Sequence, residues 1–434
     1  MRLDLGSFPV TDARFGARTR WGDGVLEIDR EAALAAVRED ALVASARIEI
    51  ARPGESVRIW PVRDVVEPRV KVSGPGVTYP GWFGRSIETV GRGRTHRLAG
   101  LGVVEVSSVN WHDAGGDFVD QYIDMAGPWA ELMPPAKLVN VCLVVEPDQA
   151  IDIHSKNEVV HRATLALADH LAEAVRRLAP PRTETFELSP APGLPGVVYI
   201  QCVHSPQAMS HSEHTFCTGT YGMTRLTPPW LLHPNEILDG ALSGPYRTMF
   251  ATSWTVVNNP VLLDLYRRHG RSLAFLGVIA FRTEWTTQHE KDLMAEQAAK
   301  LAKMLDAAGA VVTWDAGGNE YIEVVHTVRA CERLGIKTVF LTSEDSPEGG
   351  APSLLKPLPE ADAIVTTGFF NTSLLDLGPM PQTARVIGYA TKSAGSARDG
   401  TLPGAREIAA GGAIAPPWRY DDHYGFNRLS SFAY

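Results

Sequence analysis

At 434 residues and 47.1 kDa the chain exceeds what one hydrophobic core usually organises, so at least two domains are expected. Hydrophobic residues make up 44% of it and charged residues 21%, which excludes disordered and collagen-like chains. With 41 basic against 50 acidic side chains the net charge is −9, a field that repels phosphate backbones and argues against nucleic acid as a partner.

The opening MRLDLGSFPVTDARFG lacks the charged-then-apolar pattern of a secretory signal, and no run reaches the ~20 apolar residues of a membrane span. A cytoplasmic location without membrane contact is the expectation. The first half reads as short strands between Gly- and Pro-rich turns, at 46–51, 57–66 and 102–109. One early helix is expected in REAALAAVRED, capped by Asp29 and carrying acidic Glu31 where the helix dipole favours it. LVNVCLVVEP, at 138–147, has the length and β-branched content of a buried strand, and 158–178 carries helical spacing. The proline-rich stretch 179–196 breaks both periods, which places a boundary between domains 1–180 and 181–434.

Beyond it, strands and helices alternate. Asn259-Pro260 opens the helix LLDLYRRH, which stops at Gly270; LAFLGVIAF is a buried strand; 284–308 is a long amphipathic helix; AVVTW, IKTVFLTS and ADAIVTTG are strands; and 320–334 is a helix ending at Gly335. Such alternation implies an α/β architecture: a β-rich N-terminal domain followed by a C-terminal domain with a largely parallel sheet flanked by helices. Four widely spaced cysteines, Cys142, Cys202, Cys217 and Cys331, do not form a disulfide framework. Abundant Ala, Arg and Gly fits a GC-rich bacterial genome.

Several strings resemble the precursor (alpha/beta) subunit of component B of the glycine, sarcosine and betaine reductases. They are ARPGESVRIWPVRDVVEPRVKV, TVGRGRTHRLAG, DMAGPWAELMPPAKLVNVCLVVEP, HPNEILDGALSG, NNPVLLDLYRRHG, GIKTVFLTSE and the final GFNRL, in family order over nearly the entire chain. The resemblance implies a subunit that cleaves itself at an internal cysteine to leave a pyruvoyl group. That carbonyl captures a small amine or amino acid, and a thiol- or selenol-bearing partner subunit then breaks the carbon–nitrogen bond. The resemblance places the cysteine just after Ser243-Gly244, where this chain has Pro245 and Tyr246. A phenol cannot eliminate to a pyruvoyl group, so no pyruvoyl cofactor is expected. Thr248, Thr252 and Ser253 lie nearby but read as turn and cap residues.

A replacement centre is suggested by Cys202, His204, His211, His214 and Cys217, five metal-ligand types within sixteen residues. Their donors suit zinc or iron, with Glu213 and His214 as the candidate catalytic pair. The spacing is not a zinc-finger pattern, and clustered histidines are commonly polar surface. Asn319, in the glycine turn after AVVTW, is a candidate for seating a substrate carboxylate at a helix N-terminus, although Asp315 and Glu320 oppose an anion and a plain Asn cap serves equally. Arg94 and His96 of GRGRTHR are further candidate substrate contacts. Trp111-His112-Asp113 has no linked nucleophile, and His154, His161 and His170 receive no role. Three functions stay open: a reductase-complex subunit with a substitute for the pyruvoyl group, a silent scaffold for the partner, and a stand-alone metal-dependent lyase or hydrolase.

Overall fold

A computed structural model of the protein describes residues 1–109, 121–203, 229–242, 251–283, 287–314, 320–346, 351–352, 354, 357–369, 383–389, 422, 424–426 and 430–432. The fold is mixed α/β, β-rich in its first half. A four-stranded sheet runs in the order Arg182–Glu187, Arg2–Pro9, Gly93–Ala99, Arg69–Ser73. A second sheet runs Gln121–Asp124, Val57–Val66, Leu101–Val106, Val139–Pro147, Val43–Ala51. Its strand Val57–Val66 is buried at every position because partners flank it on both sides. The helix Ile153–Ala172 packs across this sheet, its Val160, Ala163, Leu167 and Leu171 sharing one apolar cluster with Val103, Val141 and Leu143. This helix starts earlier than periodicity alone suggests because Asp152 accepts from the amide of Ser155 at 3.1 Å and caps it.

Two strands from beyond residue 180 pair with these sheets: Arg182–Glu187 runs antiparallel to Arg2–Pro9, and Arg385–Gly388 runs parallel to Val57–Val66. The early helix Arg30–Val37 forms as its cap requires, with Asp29 Oδ1 accepting from Ala32 N at 3.1 Å. Replacing Asp29 with Ala should lower stability by about 1 kcal/mol, read as a shift in the urea midpoint, while Asp29→Asn should retain most of it.

In the second half, five parallel strands lie in the order Ala274–Arg282, Gly196–Val203, Gly309–Trp314, Lys337–Ser346, Ala363–Phe369, with antiparallel Trp230–Leu232 and Ser430–Phe432 at the edges. Helices Gln288–Met304 and Glu320–Arg333 cover one face, where Met294, Ala298, Val324 and Val328 pack on Val198, Ile200, Val312 and Phe340. The other face carries the helices Pro234–Leu238, Ser253–Val257 and Pro260–Arg268, the last capped by Asn259. No described helix is long and apolar enough to cross a membrane.

Candidate functional site

Numbered along the chain, the five parallel strands lie in the order 2-1-3-4-5, so the winding reverses between Gly196–Val203 and Gly309–Trp314. Ligands of open α/β sheets bind outside the carboxyl ends of the strands at such a reversal. Cys202 and Trp314 are register partners there. In sequence, the His/Cys stretch follows Val203 and the glycine stretch follows Trp314. His204, His211, Glu213, His214, Cys217 and Asn319 lie outside the described residues. Cys202 is buried, in one apolar cluster with Phe281 and Trp314. Among the described residues, no group of three or more His, Cys, Asp or Glu is placed to hold a metal. Burial pushes the Cys331 thiol up to about 12 and the Cys142 thiol higher still, so neither is a ready nucleophile.

Behind the reversal, the face opposite the two long helices carries a polar chain. Asn259 Nδ2 donates to Tyr199 Oη at 2.9 Å, Tyr199 Oη and Thr313 Oγ1 are 2.7 Å apart, and Gln201 Nε2 donates to Tyr424 Oη at 2.7 Å. Two residues beyond Tyr424, Phe426 stacks on Trp254 with ring centroids 5.6 Å apart. Trp254 belongs to the short helix Ser253–Val257, which Thr252 caps.

That helix begins on a second constellation, which composition and motif reading do not reveal. Asp64 accepts from Ser253 N at 2.8 Å and from Ser253 Oγ at 2.5 Å. His161 Nδ1 lies 3.0 Å from Glu105 Oε2 and 3.9 Å from Asp64 Oδ2. Arg63 donates to Val109 O and to Asn157 Oδ1, both at 2.5 Å, with its Nε 3.7 Å from Glu105 Oε1. All four charged side chains are at most 3% exposed. Burial drives the Asp64 pKa up to about 7; the charge of His161 opposes this and that of Glu105 adds to it. Burial disfavours a charged His161, but its hydrogen bond to Glu105 and the charges of Glu105 and Asp64 prevail and hold its pKa above the usual value. Through Ser253, seven residues after Tyr246, the chain downstream of 246 is tied to the buried carboxyl of Asp64.

A third group joins two of the strings singled out in the sequence. Asp239, at the end of the helix Pro234–Leu238, forms an ion pair with Lys71, accepts from Thr95 Oγ1, and accepts from Gly91 N at 2.7 Å. Gly91 has φ +97°, and a Cβ there would stand 3.0 Å from Glu236 N, so only glycine allows this approach. His233 caps the same helix by accepting from Asn235 N at 3.2 Å, which requires a neutral ring. Burial, helped by the N-terminal ammonium and Arg92, lowers its pKa to about 4.

Of the two proposed contacts in GRGRTHR, Arg94 is exposed, whereas His96 is buried with Nδ1 2.9 Å from Val175 O. Desolvation lowers the His96 pKa. Both lie on the strand Gly93–Ala99 of the four-stranded sheet. Asp64, Glu105, His161 and Asp239 escape sequence reasoning, yet a signal exists: Arg58, Arg63 and Asp64 interrupt a ten-residue buried strand, where charges occur only when paired.

The sequence profile of the family described as glycine/sarcosine/betaine reductase component B subunits matches residues 1–414. The glycine reductase complex component B subunits alpha and beta of Acetoanaerobium sticklandii is 32% identical over 450 aligned positions, covering 100% of both chains. The sarcosine reductase complex component B subunit alpha of Peptoclostridium acidaminophilum is 32% identical over 400 positions, 89% of each chain. The betaine reductase complex component B subunit alpha of the same organism is 35% identical over 398 positions, 88% of this chain and 87% of that one. No solved structure matches.

Proposed function

The chain belongs to the family of glycine/sarcosine/betaine reductase component B subunits, and from that premise we propose that it is the substrate-handling subunit of a reductase-type complex, acting on a small amine or amino acid without a self-generated pyruvoyl group. The observation that carries this reading is the combination of a match along the whole chain with the sequence Ser243-Gly244-Pro245-Tyr246 and no cysteine between Cys217 and Cys331. Self-cleavage to a keto-acyl terminus needs a thiol or an aliphatic hydroxyl as the shifting nucleophile, and neither stands at 245 or 246. The downstream hydroxyls Thr252 and Ser253 have other duties, one as a helix cap and one as a donor to Asp64.

The substrate is held beyond the carboxyl ends of the strands Gly196–Val203 and Gly309–Trp314, with His204, His211, Glu213, His214, Cys217 and Asn319 as its candidate contacts. Their imidazole and thiolate donors suit zinc or iron, which would polarise a bound substrate. Glu213 has the role of proton acceptor, Asn319 that of binding the substrate carboxylate, and a thiol- or selenol-bearing partner supplies the reducing sulfur or selenium. Tagged chain recovered from its native host should bring down such a partner in stoichiometric amount, and the complex should consume a small amine with release of the nitrogen. Elemental analysis of untagged protein should find zinc or iron, and His214→Ala should lose both metal and turnover. Recovery of the chain alone, with metal-dependent turnover unaided, would contradict the subunit reading.

A further inference from the structure

A small cavity lies between Val66 of the strand Val57–Val66, Leu165 of the helix Ile153–Ala172 and Leu242, which follows the helix Pro234–Leu238. Its volume is about 20 Å³, room for one species the size of a water molecule or slightly larger. Tyr79 and Trp82 also line it. They are 7% and 5% exposed, and neither the Tyr79 hydroxyl nor the Trp82 indole N–H has a hydrogen-bond partner. Leaving two buried polar groups unsatisfied is destabilising, and a guest that accepts from both accounts for their presence. The turn that carries them is fixed independently of the cavity. Trp82 N donates to Tyr79 O at 3.1 Å, and Arg85 donates to Thr78 O at 2.6 Å while pairing with Asp169 of the helix at 2.6 Å. Tyr79 holds φ +49°, a left-handed conformation that a bulky side chain adopts only at a cost.

Both orphaned groups are donors, and an indole N–H can only donate. Among the described residues of the wall the carboxylate is Glu67, and it is already committed. Its Oε2 accepts from Arg69 Nε at 3.1 Å and from Arg69 Nη2 at 2.5 Å, and Arg97 Nη1 stands 3.6 Å from the same oxygen. Two guanidinium charges thus face one carboxylate, which leaves this part of the wall net positive. Val66, Leu165, Leu242 and Val257 make much of the remainder hydrocarbon, with nothing for the protons of a water molecule to bond. We propose that the cavity is a halide site, in which one chloride or bromide ion accepts from Trp82 Nε1 and Tyr79 Oη. A monatomic anion needs donors and no acceptors, and it fits a volume that excludes sulfate or phosphate. Chloride and bromide also shed their hydration shells more readily than fluoride. Because Gly240 and Leu242 line the cavity together with Ser253 and Val257, an occupied site ties the chain on both sides of residues 243–252 to one ion.

Urea unfolding of the full chain in sodium fluoride, chloride and bromide at matched ionic strength tests this. Chloride and bromide should raise the midpoint above that in fluoride, and saturably, as a ligand of the folded state does, whereas non-specific salt effects run in the opposite order. Trp82→Phe keeps a ring in place but removes the donor, and it should abolish the gain. Tyr79→Phe should weaken the apparent affinity for bromide about tenfold. Crystals grown in bromide should show an anomalous scatterer within hydrogen-bond distance of Trp82 Nε1. A midpoint that follows the non-specific order in the unaltered protein, an undiminished halide gain in either variant, or a water molecule instead of bromide at Trp82 Nε1 would overturn the proposal. Should Trp82→Phe fail to fold, the salt order on the unaltered protein and the bromide positions in the crystal decide. None of these readouts needs a partner subunit or turnover, so the outcome is independent of the proposed function.

Discussion

Replacing His161 with alanine is expected to lower stability by about 3–5 kcal/mol, because it leaves Glu105 and Asp64 as neighbouring buried carboxylates without the imidazolium between them. Arg63 Nε stands 3.7 Å from Glu105. The loss should be largest above neutral pH and smaller in acid, where the stranded carboxyls take up protons. In the unaltered protein Asp64 rises from an ordinary 3.8 to about 7, so the folded state binds the extra proton across that interval. Its stabilising contribution is full below about pH 4 and is lost as the pH rises through about 7. His161, also raised, acts in the same direction. Because His233 and His96, with lowered pKa values, act in the opposite sense in both proteins, the test is the difference: from pH 4 to 8 the urea midpoint of the unaltered protein should fall relative to that of Asp64→Asn. Parallel profiles for the unaltered protein and Asp64→Asn would contradict this assignment.

Asp239→Ala should be comparably severe, about 3–5 kcal/mol, because one carboxylate serves Lys71, Thr95 and the amide of Gly91 and its removal strands a buried ammonium. Asp264→Ala is the matching control. Its pair with Arg268 is 47% and 59% exposed, and its loss should shift the midpoint by less than about 1 kcal/mol. Because Asp239 ties the helix before Ser243 to the strand Gly93–Ala99, the large effect should appear together with easier proteolysis between residues 240 and 250.

Much of the second half is legible in the sequence because its signals are local. Asn259-Pro260, Gly270 and Gly335 mark helix ends where the structure has them, and the strand runs are apolar and short. The long helix begins at Gln288 rather than 284 because Thr287 caps it, a weaker mark than proline or glycine. The returning strand Arg385–Gly388 is not legible, since pairing with Val57–Val66 across more than three hundred residues leaves no periodic trace. The same holds for the charged cluster, whose His161–Glu105 contact spans 56 residues. His161 carries a trace in its phase, however. It shares the buried stripe of its helix with Asn157, Thr164 and Ala168, at the spacing of a core face rather than a wet one.

Central to the proposed function, with Pro245 and Tyr246 following Ser243-Gly244, is that this chain works as an uncut polypeptide. Intact mass spectrometry of the protein purified under denaturing conditions tests it most directly. A single species at 47.1 kDa is the expected result. Two fragments joining near residue 246, the second with a blocked keto-acyl end, would contradict it.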